Sequence, residues 1–594
     1  MPAPSTTETA VSWLQAFEQA LSSGDIKTVT GLFGPECFWR DLVSFTWTIK
    51  TMEGEAGIAD MLGHQLAAVG PSQFRIEGEA RLDDGILAAW FRFETRVARG
   101  KGHLRLKDGK AFTLLTTILE LKGHEEQTGV TREQGVAHGA RQNRRTWAEQ
   151  RSQDEAELGV TQQPYCVIIG GGQGGLALGA RLKRLGVPAL ILEKSPRAGD
   201  SWRNRYKSLV LHDPVWYDHL PYLPFPEHWP VFTPKDKMGD WLECYAKLME
   251  LNIWGSTPCT GAAFDGASKT WTVTARREGQ DVVLRPKQLV FATGSYGPPR
   301  EITIKGQASF TGEQYHSSRH TSAARFAGCK AIVIGANSSG HDMCADFWEN
   351  GANVTMIQRS PTTVVRSETL MDLGFAGLYS DAAVNAGITT ETADLIFASM
   401  PLRLMADAQR TLYIAIAERD ADLIGRLNSA GFQTDYGQDE SGLMMKALRT
   451  GSGYYIDVGC SELIARGHVE VRSGVEVSEV RPRSVLLSNG EEHSADVIVY
   501  ATGYRPMNEW VAGIISREVA DRIGANWGYG SGFAGDPGPW QGELRNMWKP
   551  LAQEALWLHG GNLALSRHYS LYVALQIKAR MEGIATPVYG AAVW

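Results

Sequence analysis

The stretch that decides the fold is Tyr165-Cys-Val-Ile-Ile-Gly170-Gly-Gly172-Gln-Gly-Gly175. An apolar run of strand type leads into the spacing G-x-G-x-x-G, and a helical pattern over residues 176–185 follows. In such a turn Gly170 allows the tight bend, Gly172 lets the backbone approach a pyrophosphate, and Gly175 lets helix and strand pack closely. The pyrophosphate would lie at the positive end of the helix dipole. The stretch therefore predicts a dinucleotide-binding βαβ unit.

An acidic residue ends the next strand of this unit. Residues 189–192 are apolar, and Glu193 follows them 18 residues beyond Gly175. An acid at this position accepts hydrogen bonds from the ribose hydroxyls of an adenosine. We expect Gln173, Gly174 and Lys194 to contact the same ligand.

A second fingerprint is Ala331-Ile-Val-Ile-Gly335-Ala-Asn337-Ser-Ser-Gly340. Asn337 replaces the second glycine, and asparagine is the residue other than glycine that best tolerates a left-handed backbone. The following strand, residues 354–358, ends in Arg359-Ser360. An arginine at this position suits the 2′-phosphate of NADPH, although it does not exclude NADH. Further expected contacts with this second dinucleotide are Ser338, Ser339 and Ser360.

Two such units, one ending in an acid and one in an arginine, imply FAD and NADPH in the same chain. Hydride would then pass from the nicotinamide to the flavin. The seven cysteines contain no C-x-x-C pair, so no disulfide can take the electrons. Molecular oxygen is the acceptor that remains. We predict an α/β protein with two Rossmann-like dinucleotide-binding domains, one inserted in the other.

Composition excludes several other classes of protein. The chain has 594 residues and a net charge of −7, so no basic surface argues for nucleic acid. It has no run of about 18 apolar residues, which argues against a membrane span. The cysteines are scattered and lack the spacing of a metal site, so we expect no metal and a reducing, cytoplasmic location.

The hydrophobic pattern divides the chain into regions. A helical pattern near the start, followed by alternating strand-like runs, predicts a small α+β cone over residues 8–122. Residues 123–162 are polar and predict a partly helical linker. The FAD-binding domain is expected over residues 163–325 and 475–594, with the NAD(P)H-binding domain at residues 326–474.

Between the two fingerprints lies Phe310-Thr-Gly312-Glu-Gln-Tyr-His316-Ser-Ser-Arg-His320. It resembles the F-x-G-x-x-x-H-x-x-x signature of the class B flavoprotein monooxygenases, which comprise the flavin-containing and the Baeyer–Villiger monooxygenases. Most members have an aromatic residue at the position of His320. A histidine there resembles the type II flavin-containing monooxygenases. Members of that subgroup carry an N-terminal domain that resembles the NTF2/SnoaL-like cone.

Three further stretches share the resemblance. They are Gly199-Asp-Ser-Trp202, Ala292-Thr-Gly294 and Ala501-Thr-Gly503-Tyr504. The first resembles the family's stretch beside the flavin ring, and the other two its A-T-G crossovers. The resemblance implies that the cofactors contact Asp200, Ser201, Trp202, Thr293, Gly294, Thr502 and Gly503.

The resemblance also implies an activity. Reduced flavin would add oxygen to form a C4a-(hydro)peroxide, whose protonation state is set by nearby groups. We expect Baeyer–Villiger oxidation of cyclic ketones to esters or lactones, with sulfoxidation as a side activity, and a homodimer as the assembly. The alternatives are an N-hydroxylase or a decarboxylating 2-oxo-acid monooxygenase of YUCCA type. From another class, the alternative is a binding protein with a vestigial flavin site.

The predicted catalytic residues are Arg203, His212, Asp213 and His316. By resemblance the first three follow Trp202 beneath the flavin, where they hold the reactive oxygen or orient the cofactor; a structural salt bridge is the alternative. The spacing of His316 and His320 would place both on one side of a helix. The resemblance favours a role for His316 at the domain junction over proton transfer.

Four regions outside the fingerprints carry lesser expectations. Asn562 precedes a helix whose N-terminus would point at the flavin. The glycine-rich residues 524–542 predict a lid, and the proline-rich residues 214–234 either a channel wall or a rigid connector. In the N-terminal cone, the residues expected to line a pocket are Trp39, Arg40, Asp41 and Trp47. Because no second catalytic set accompanies them, we interpret the cone as a packing or dimer domain.

Overall fold

The structure is a computed structural model, and it describes residues 5–135, 138–536 and 538–590. Its strands are β1 Phe33–Leu42, β2 Ile49–Glu53, β3 Ser72–Asp83, β4 Ile86–Glu94, β5 Ala98–Lys107, β6 Lys110–Leu121, β7 Cys166–Ile169, β8 Ala189–Leu192, β9 Ile253–Trp254, β10 Cys259–Asp265, β11 Thr270–Arg277, β12 Gln280–Leu284, β13 Gln288–Phe291, β14 Glu313–His316, β15 Lys330–Ile334, β16 Asn353–Gln358, β17 Thr363–Arg366, β18 Tyr454–Asp457, β19 Val469–Ser473, β20 Val477–Arg481, β21 Ser484–Leu487, β22 Glu492–Ser494, β23 Val497–Tyr500 and β24 Leu556–Leu558.

The α-helices connect and cover these strands. They are α1 Thr6–Ser23, α2 Ile26–Gly31, α3 Gly54–Val69, α4 Trp147–Glu157, α5 Gln173–Arg184, α6 Asp200–Arg203, α7 Val215–Asp218, α8 Lys235–Leu248, α9 Ser338–Glu349, α10 Ser367–Leu370, α11 Asp381–Asn385, α12 Thr390–Ala398, α13 Leu402–Arg419, α14 Ala421–Ser429, α15 Gly442–Thr450, α16 Cys460–Ala465, α17 Asn508–Ile514, α18 Arg517–Ile523 and α19 Leu563–Met581. Among the described residues, no helix combines the length and apolar character needed to cross a bilayer.

The N-terminal domain is a six-stranded sheet in the order β2-β1-β6-β5-β4-β3, covered by α1 and α3. Its interior is filled by aromatic side chains. On β5, a Cβ atom at Gly100 would lie 2.5 Å from the Phe93 ring, and one at Gly102 would lie 2.0 Å from the Phe91 ring. The glycines therefore make room for two large rings in the aromatic core.

The expected pocket of the N-terminal domain is not formed by the four residues named for it. Trp39 is fully buried in the aromatic core. Asp41 is also buried, and it accepts hydrogen bonds from Thr116 Oγ1 at 2.7 Å and from the amides of Phe45 and Thr46. Arg40 and Trp47 point away from that core, toward the rest of the chain. This expectation was wrong because neighbouring residues on a strand face opposite sides of the sheet.

The first Rossmann-like sheet is parallel, in the order β24-β13-β7-β8-β9. It carries the first fingerprint between β7 and α5. The antiparallel strands β10–β12 form a small sheet of their own. The second sheet, β14-β23-β15-β16-β19, is also parallel and carries the second fingerprint between β15 and α9. Its strands lie between β13 and β24 in sequence, which confirms two dinucleotide-binding folds with one inserted in the other.

The boundaries of the inserted fold differ from the expected ones. Strand β14 lies before residue 326 and strand β23 after residue 474, yet both pair in the second sheet. Strand β23 precedes the second A-T-G crossover just as β13 precedes the first. Strand β14 has the polar sequence Glu-Gln-Tyr-His and β23 is a short apolar run like β13, so neither sequence indicates which sheet the strand joins.

Two helical regions complete the chain. In the linker, α4 begins with a capping box formed by Thr146 and Glu149, which confirms its partly helical character. Helices α10–α15 form an insert between β17 and β18, which pair with each other outside the two large sheets. The sequence analysis did not foresee this insert, and it lies against the site described below.

Candidate cofactor-binding and active site

The first glycine turn is closed by two backbone contacts. Gly170 has φ of 111°, and a Cβ atom there would lie 2.4 Å from the carbonyl oxygen of Ala292. A Cβ atom at Gly175 would lie 1.9 Å from the carbonyl oxygen of Gly170. Both positions therefore require glycine. The turn leaves the N-terminus of α5, which begins after Gly172, open toward a ligand.

The second glycine turn repeats this geometry. Gly335 has φ of 121°, and a Cβ atom there would lie 2.3 Å from the carbonyl oxygen of Ala501. A Cβ atom at Gly340 would lie 2.1 Å from the carbonyl oxygen of Gly335. Asn337, however, is extended, with φ of −98°, so the tolerance of asparagine for a left-handed backbone is not needed here. Gly172 is extended in the same way, with φ of −81°.

The ends of the strands after each turn differ in their surroundings. Glu193 is buried, and its carboxylate accepts hydrogen bonds from Gly171 N at 2.6 Å and Ser195 N at 2.7 Å. This fixes an oriented acid beside the first turn. Arg359 and Ser360 are exposed, and Arg359 makes no hydrogen bond or ion pair with any residue that the structure describes. A guanidinium at this position is free to meet a ligand.

A second helix N-terminus meets the first fingerprint. Asn562 caps α19, with its Oδ1 accepting from Leu565 N at 3.0 Å. Gln173 Nε2 donates to Gly561 O at 3.1 Å, and Gln173 Oε1 accepts from Trp202 Nε1 at 3.2 Å. The expected flavin contacts Gln173, Trp202 and Asn562 are thus brought together beside the positive ends of two helices.

Buried polar atoms without partners lie at this same place. Thr293 Oγ1 and Ser566 Oγ are buried and have no hydrogen-bond partner within the described ranges. Ser566 Oγ lies 3.6 Å from the position of a Cβ atom at Gly174. Buried hydroxyls are normally hydrogen-bonded, so a ligand rich in polar atoms would supply the partners that these two hydroxyls lack. The residues present therefore fit FAD.

Arg203 is held in an ion-pair network. Its guanidinium nitrogens lie 2.9 Å from Asp200, 2.9 Å from Asp240 and 2.8 Å from Glu243. It also donates to Ala198 O at 3.0 Å. Four partners occupy the guanidinium, which favours a structural salt bridge over the catalytic role expected for it. Asp200, an expected cofactor contact, is part of the same network.

His212 and Asp213 lie where the two Rossmann-like folds meet. Burial raises the pKa of the Asp213 carboxyl, and the charge of nearby His212 opposes this rise. Burial also raises the pKa of Asp342, and the charge of His212 opposes this rise as well. Tyr206 donates a hydrogen bond to Asp342 Oδ2. His212 is therefore close to one carboxyl group from each fold, and the sequence analysis missed Tyr206 and Asp342.

His316 ties β14 to the second A-T-G crossover and is neutral. Its Nε2 donates to Gly503 O at 3.0 Å, and its Nδ1 accepts from Ser318 N at 3.1 Å. Burial lowers the pKa of His316, which keeps the ring neutral. Both nitrogens are used in the neutral tautomer. This geometry favours an organising role at the domain junction. In the same crossover, Thr502 Oγ1 donates to Arg300 O at 2.7 Å.

His320 does not share a face with His316. The residues between them form a 3-10 turn after β14 instead of an α-helix, so the helical spacing does not apply. His320 is buried, and its Nε2 donates to Asp346 Oδ2 at 2.7 Å. Its Nδ1 lies 3.0 Å from the hydroxyl of Tyr315. His320 is thus part of the packing of the inserted fold.

A buried arginine of α19 fixes the segment that contains Asp213. Arg567 forms a two-pronged ion pair with Asp394 of the helical insert, at 2.9 and 2.8 Å. Its remaining nitrogen donates to the carbonyl oxygens of Tyr217 and His219. Asn562 Nδ2 donates to the Tyr217 hydroxyl at 3.3 Å. The sequence analysis missed Asp394, because it lies in an insert that carries no motif.

The expected lid, residues 524–542, is packed between the site and the N-terminal domain. Trp527 Nε1 donates to Ser295 O at 2.9 Å, beside the first A-T-G crossover, and Trp540 Nε1 donates to Glu53 Oε1 at 3.0 Å. The Asp536 carboxylate accepts from the amides of Tyr529, Gly530 and Ser531. Opening and closing of this loop stay a prediction.

The proline-rich residues 214–234 divide into two halves. Trp216 Nε1 donates to Asp381 Oδ1 at 3.0 Å, so the first half lies against the helical insert. In the second half the rings of Phe225 and Trp229 stack 4.9 Å apart and pack on Trp241. This half is a rigid connector on the first Rossmann-like fold.

Comparisons with known proteins agree with this site. Residues 167–372 match the family described as pyridine nucleotide-disulphide oxidoreductase. Indole-3-pyruvate monooxygenase YUCCA1 of Oryza sativa subsp. japonica is 32% identical over 346 residues, which cover 58% of this chain and 78% of the relative. The probable indole-3-pyruvate monooxygenase YUCCA4 of Arabidopsis thaliana is 30% identical over 343 residues, covering 58% and 76%.

A solved structure shares the fold. The ε-caprolactone-bound cyclohexanone monooxygenase superposes with a TM-score of 0.50 and 19% identity, and the match covers 71% of this chain and 88% of that one. The sequence relatives make the chain an enzyme, which sets aside the binding protein with a vestigial flavin site. The chain belongs to the flavin-containing monooxygenases, oxidoreductases that use FAD and NADPH.

Proposed function

We propose that this monooxygenase acts on carbonyl compounds, with Baeyer–Villiger oxidation of cyclic ketones to esters or lactones as its main reaction and sulfoxidation as a side activity. When bound, FAD that NADPH has reduced activates dioxygen and supplies one oxygen atom to the substrate. The remaining task of the chain is to bind the substrate, orient it and place protons.

The observation that carries the proposal is a cluster of three buried acidic groups, one of which, Tyr217, accepts a hydrogen bond from Asn562 Nδ2 at the N-terminus of α19. Asp213, Tyr217 and Tyr454 lie close together, since an ionised Asp213 would raise the pKa of both tyrosines. Burial raises the pKa of all three groups, that of Tyr454 to about 12. Burial thus favours the neutral form of each group, and in that form each has an O–H that can donate to a substrate oxygen.

Donors of this kind select the substrate by its polar group. A ketone oxygen only accepts hydrogen bonds, and donors directed at it stabilise the negative charge that develops when oxygen attacks the carbonyl carbon. A protonated amine would need an ionised carboxylate instead. A thioether sulfur is a weak acceptor, which fits a side activity.

A second candidate is the decarboxylating oxidation of a 2-oxo acid. It is favoured by the relatives at 30–32% identity, which are named indole-3-pyruvate monooxygenases. A 2-oxo acid also presents a carbonyl carbon, and its carboxylate needs a cation. Arg205 is exposed. Its charge opposes the rise that burial causes in the pKa of Asp342 and of Tyr504, so it lies near both residues at the junction. It is the cation proposed for that carboxylate.

The experiment uses purified holoenzyme with NADPH under oxygen-18. A cyclic ketone, a thioether and indole-3-pyruvate are offered separately, and the products are weighed by mass spectrometry. We expect one labelled atom in the lactone and slower labelling of the sulfoxide. Label found only in the acid formed from indole-3-pyruvate would favour the second candidate. NADPH consumption that yields hydrogen peroxide and no labelled product would contradict both.

A matched pair of variants tests the donor group. Asp213→Leu removes the donor, whereas Asp213→Asn keeps an N–H at the same position. We expect Asp213→Leu to lower kcat for the ketone by about 100-fold, as loss of one directed donor does, with Asp213→Asn less affected. Anaerobic reduction of the flavin by NADPH should change little in either variant.

The assignment of regions and contacts is part of the proposal. The N-terminal domain is an NTF2/SnoaL-like domain, and FAD contacts the first glycine turn, Glu193 and Trp202. NADPH contacts the second turn, Ser338, Ser339, Arg359 and Ser360. A homodimer in the cytoplasm is the proposed state of the enzyme.

A further inference from the structure

The N-terminal domain reaches into the rest of the chain through Arg40. Its guanidinium forms a two-pronged ion pair with Glu543, with both N–O distances 2.7 Å. The side chains are only 5% and 4% exposed. Thr51 Oγ1 donates to the same carboxylate at 2.6 Å, and Arg40 also donates to the carbonyl oxygen of Ala398. This buried pair is the polar centre of the contact between the N-terminal domain and the remainder.

Arg40 also acts on α19. Burial raises the pKa of the Tyr569 hydroxyl, and the charge of Arg40 and a hydrogen bond with it oppose this rise. The ring of Tyr569 stacks on Trp548, with ring centroids 3.9 Å apart and an angle of 8° between the planes. Trp548 Nε1 in turn donates to Gly560 O at 3.0 Å. A short series of contacts therefore joins Arg40 to the turn before α19.

That turn has no room to move without disturbing the first fingerprint. A Cβ atom at Gly560 would lie 2.6 Å from Gly294 O, and one at Gly174 would lie 3.2 Å from the Cα atom of Gly560. Gly561 O accepts the hydrogen bond from Gln173, which also binds Trp202. A shift of the turn therefore changes the position of the N-terminus of α19 relative to α5.

We propose that Arg40 is a positioning residue for the flavin, and that the N-terminal domain serves to hold the turn of residues 559–562 against the FAD-binding fold. Removing one partner of a buried ion pair leaves the other charge without compensation, so the surrounding structure rearranges. Here the rearrangement passes through Tyr569 and Trp548 to the N-terminus of α19, whose positive dipole would stabilise the negative charge of reduced flavin when FAD is bound there.

The test compares two arginines of the same domain. In Arg40→Met, we expect the dissociation constant of FAD to rise about tenfold, the effect of losing one charged hydrogen-bonding group. The midpoint potential of the flavin that stays bound should become more negative. The control is Arg105→Met: Arg105 donates to Ser399 Oγ at 2.8 Å across the same domain contact but does not contact Tyr569 or Glu543 within the described chain. It should leave both quantities unchanged.

A double-mutant cycle distinguishes positioning from general loss of stability. Trp548→Phe keeps the stacking on Tyr569 and loses only the hydrogen bond to Gly560 O. If Arg40 acts through Trp548, the effects of Arg40→Met and Trp548→Phe on FAD affinity are not additive. Should Arg40→Met fail to fold, Arg40→Lys takes its place, because lysine keeps the charge and loses the two-pronged geometry. An unchanged FAD affinity and potential in the Arg40 variant, or additive effects in the cycle, would overturn the proposal.

Discussion

The two glycine turns of this enzyme share a backbone and differ in what surrounds it. A Cβ atom placed on the first and third glycines would lie 2.4 and 1.9 Å from a backbone carbonyl oxygen in the first turn, and 2.3 and 2.1 Å from one in the second. In both turns the first approach is to the alanine of an A-T-G crossover. The second position and the strand end differ, with Gly172 and Glu193 in one and Asn337 and Arg359 in the other. Backbone geometry thus makes each turn fit a dinucleotide, and we propose that the residue at the strand end distinguishes the two nucleotides.

The largest effects should come from filling the space of the third glycine. Gly175→Ala should raise the dissociation constant of FAD on the order of 100-fold or more, as a loss of about 2.7 kcal/mol does, and give a colourless protein. Gly340→Ala should leave the protein yellow but prevent its reduction by NADPH. The flavin absorbance and the anaerobic reduction rate measure the two effects.

Gly63→Ala is the control for this pair, because a Cβ atom there meets nothing within 4 Å. It should bind FAD and react with NADPH as the unchanged enzyme does. If Gly340→Ala also lost FAD, the two turns would not be independent sites.

The next largest effect should distinguish NADPH from NADH. Arg359→Ala removes the cation proposed for the 2′-phosphate, so KM for NADPH should rise about 10–100-fold, the range for a charged hydrogen bond. KM for NADH should stay unchanged. Steady-state kinetics with both nucleotides measures the difference, and Arg276→Ala, an exposed arginine paired with Asp281, is the control. An equal rise for both nucleotides would refute the phosphate assignment.

A smaller effect, a loss of folding stability, should follow when the pH is lowered, because a buried histidine lies against each turn. Burial lowers the pKa of His559, beside Gly174, to about 3, and that of His341, which bonds to Asn337 O, to about 4. The unfolded chain binds these protons below its ordinary pKa of about 6.5 and the folded chain does not. Stability therefore rises with pH between about 4 and 6.5, by up to about 1.4 kcal/mol per pH unit for each histidine.

The Tm of the holoenzyme should accordingly fall as the pH is lowered from 6.5 to 4.5. In His341→Phe, which keeps the stacking on Tyr455, the fall should be smaller. A variant with the same slope as the unchanged enzyme would show that His341 does not contribute.

The smallest effect should come from making the second turn resemble the first. Asn337→Gly should change KM for NADPH by less than about twofold, because the backbone is extended and a glycine there costs only about 0.5–1 kcal/mol of unfolding free energy. The reciprocal Gly172→Asn should weaken FAD more, since its side chain enters the approach of the pyrophosphate. A more than fivefold change of KM in Asn337→Gly would mean that the asparagine side chain binds NADPH.

Sequence reasoning succeeded where the physical cause is local. The first and third glycines of each turn and the strand ends follow from a strand, a turn and a helix that are contiguous. Gly175, for example, needs glycine because a Cβ atom there would lie 1.9 Å from the carbonyl oxygen of Gly170 in the same turn. The pattern of α1 likewise predicts the residues that it buries. The two Rossmann-like folds were predictable for this reason.

Residue roles were misjudged where partners are distant in sequence. Arg203 was expected to act in catalysis, but Asp240 and Glu243 of α8 engage it. Asp394 and Arg567 form a buried pair across 173 positions, and no spacing rule connects them. In the N-terminal domain, Arg40 faces away from Trp39 and Asp41 along β1, and Trp47, in the loop between β1 and β2, packs on the core of the remaining chain.

The position of β24 has a bearing on how the enzyme is made. This strand pairs with β13, although the whole inserted fold and the helical insert are synthesised between them. The N-terminal domain is contiguous and can fold early on the ribosome, whereas the FAD-binding sheet stays incomplete until residue 558 and its capping helix emerge. During that interval the edge of β13 is open to pairing with other chains. Slower translation or an ample supply of free FAD should therefore matter most at the end of synthesis, when the flavin site first exists.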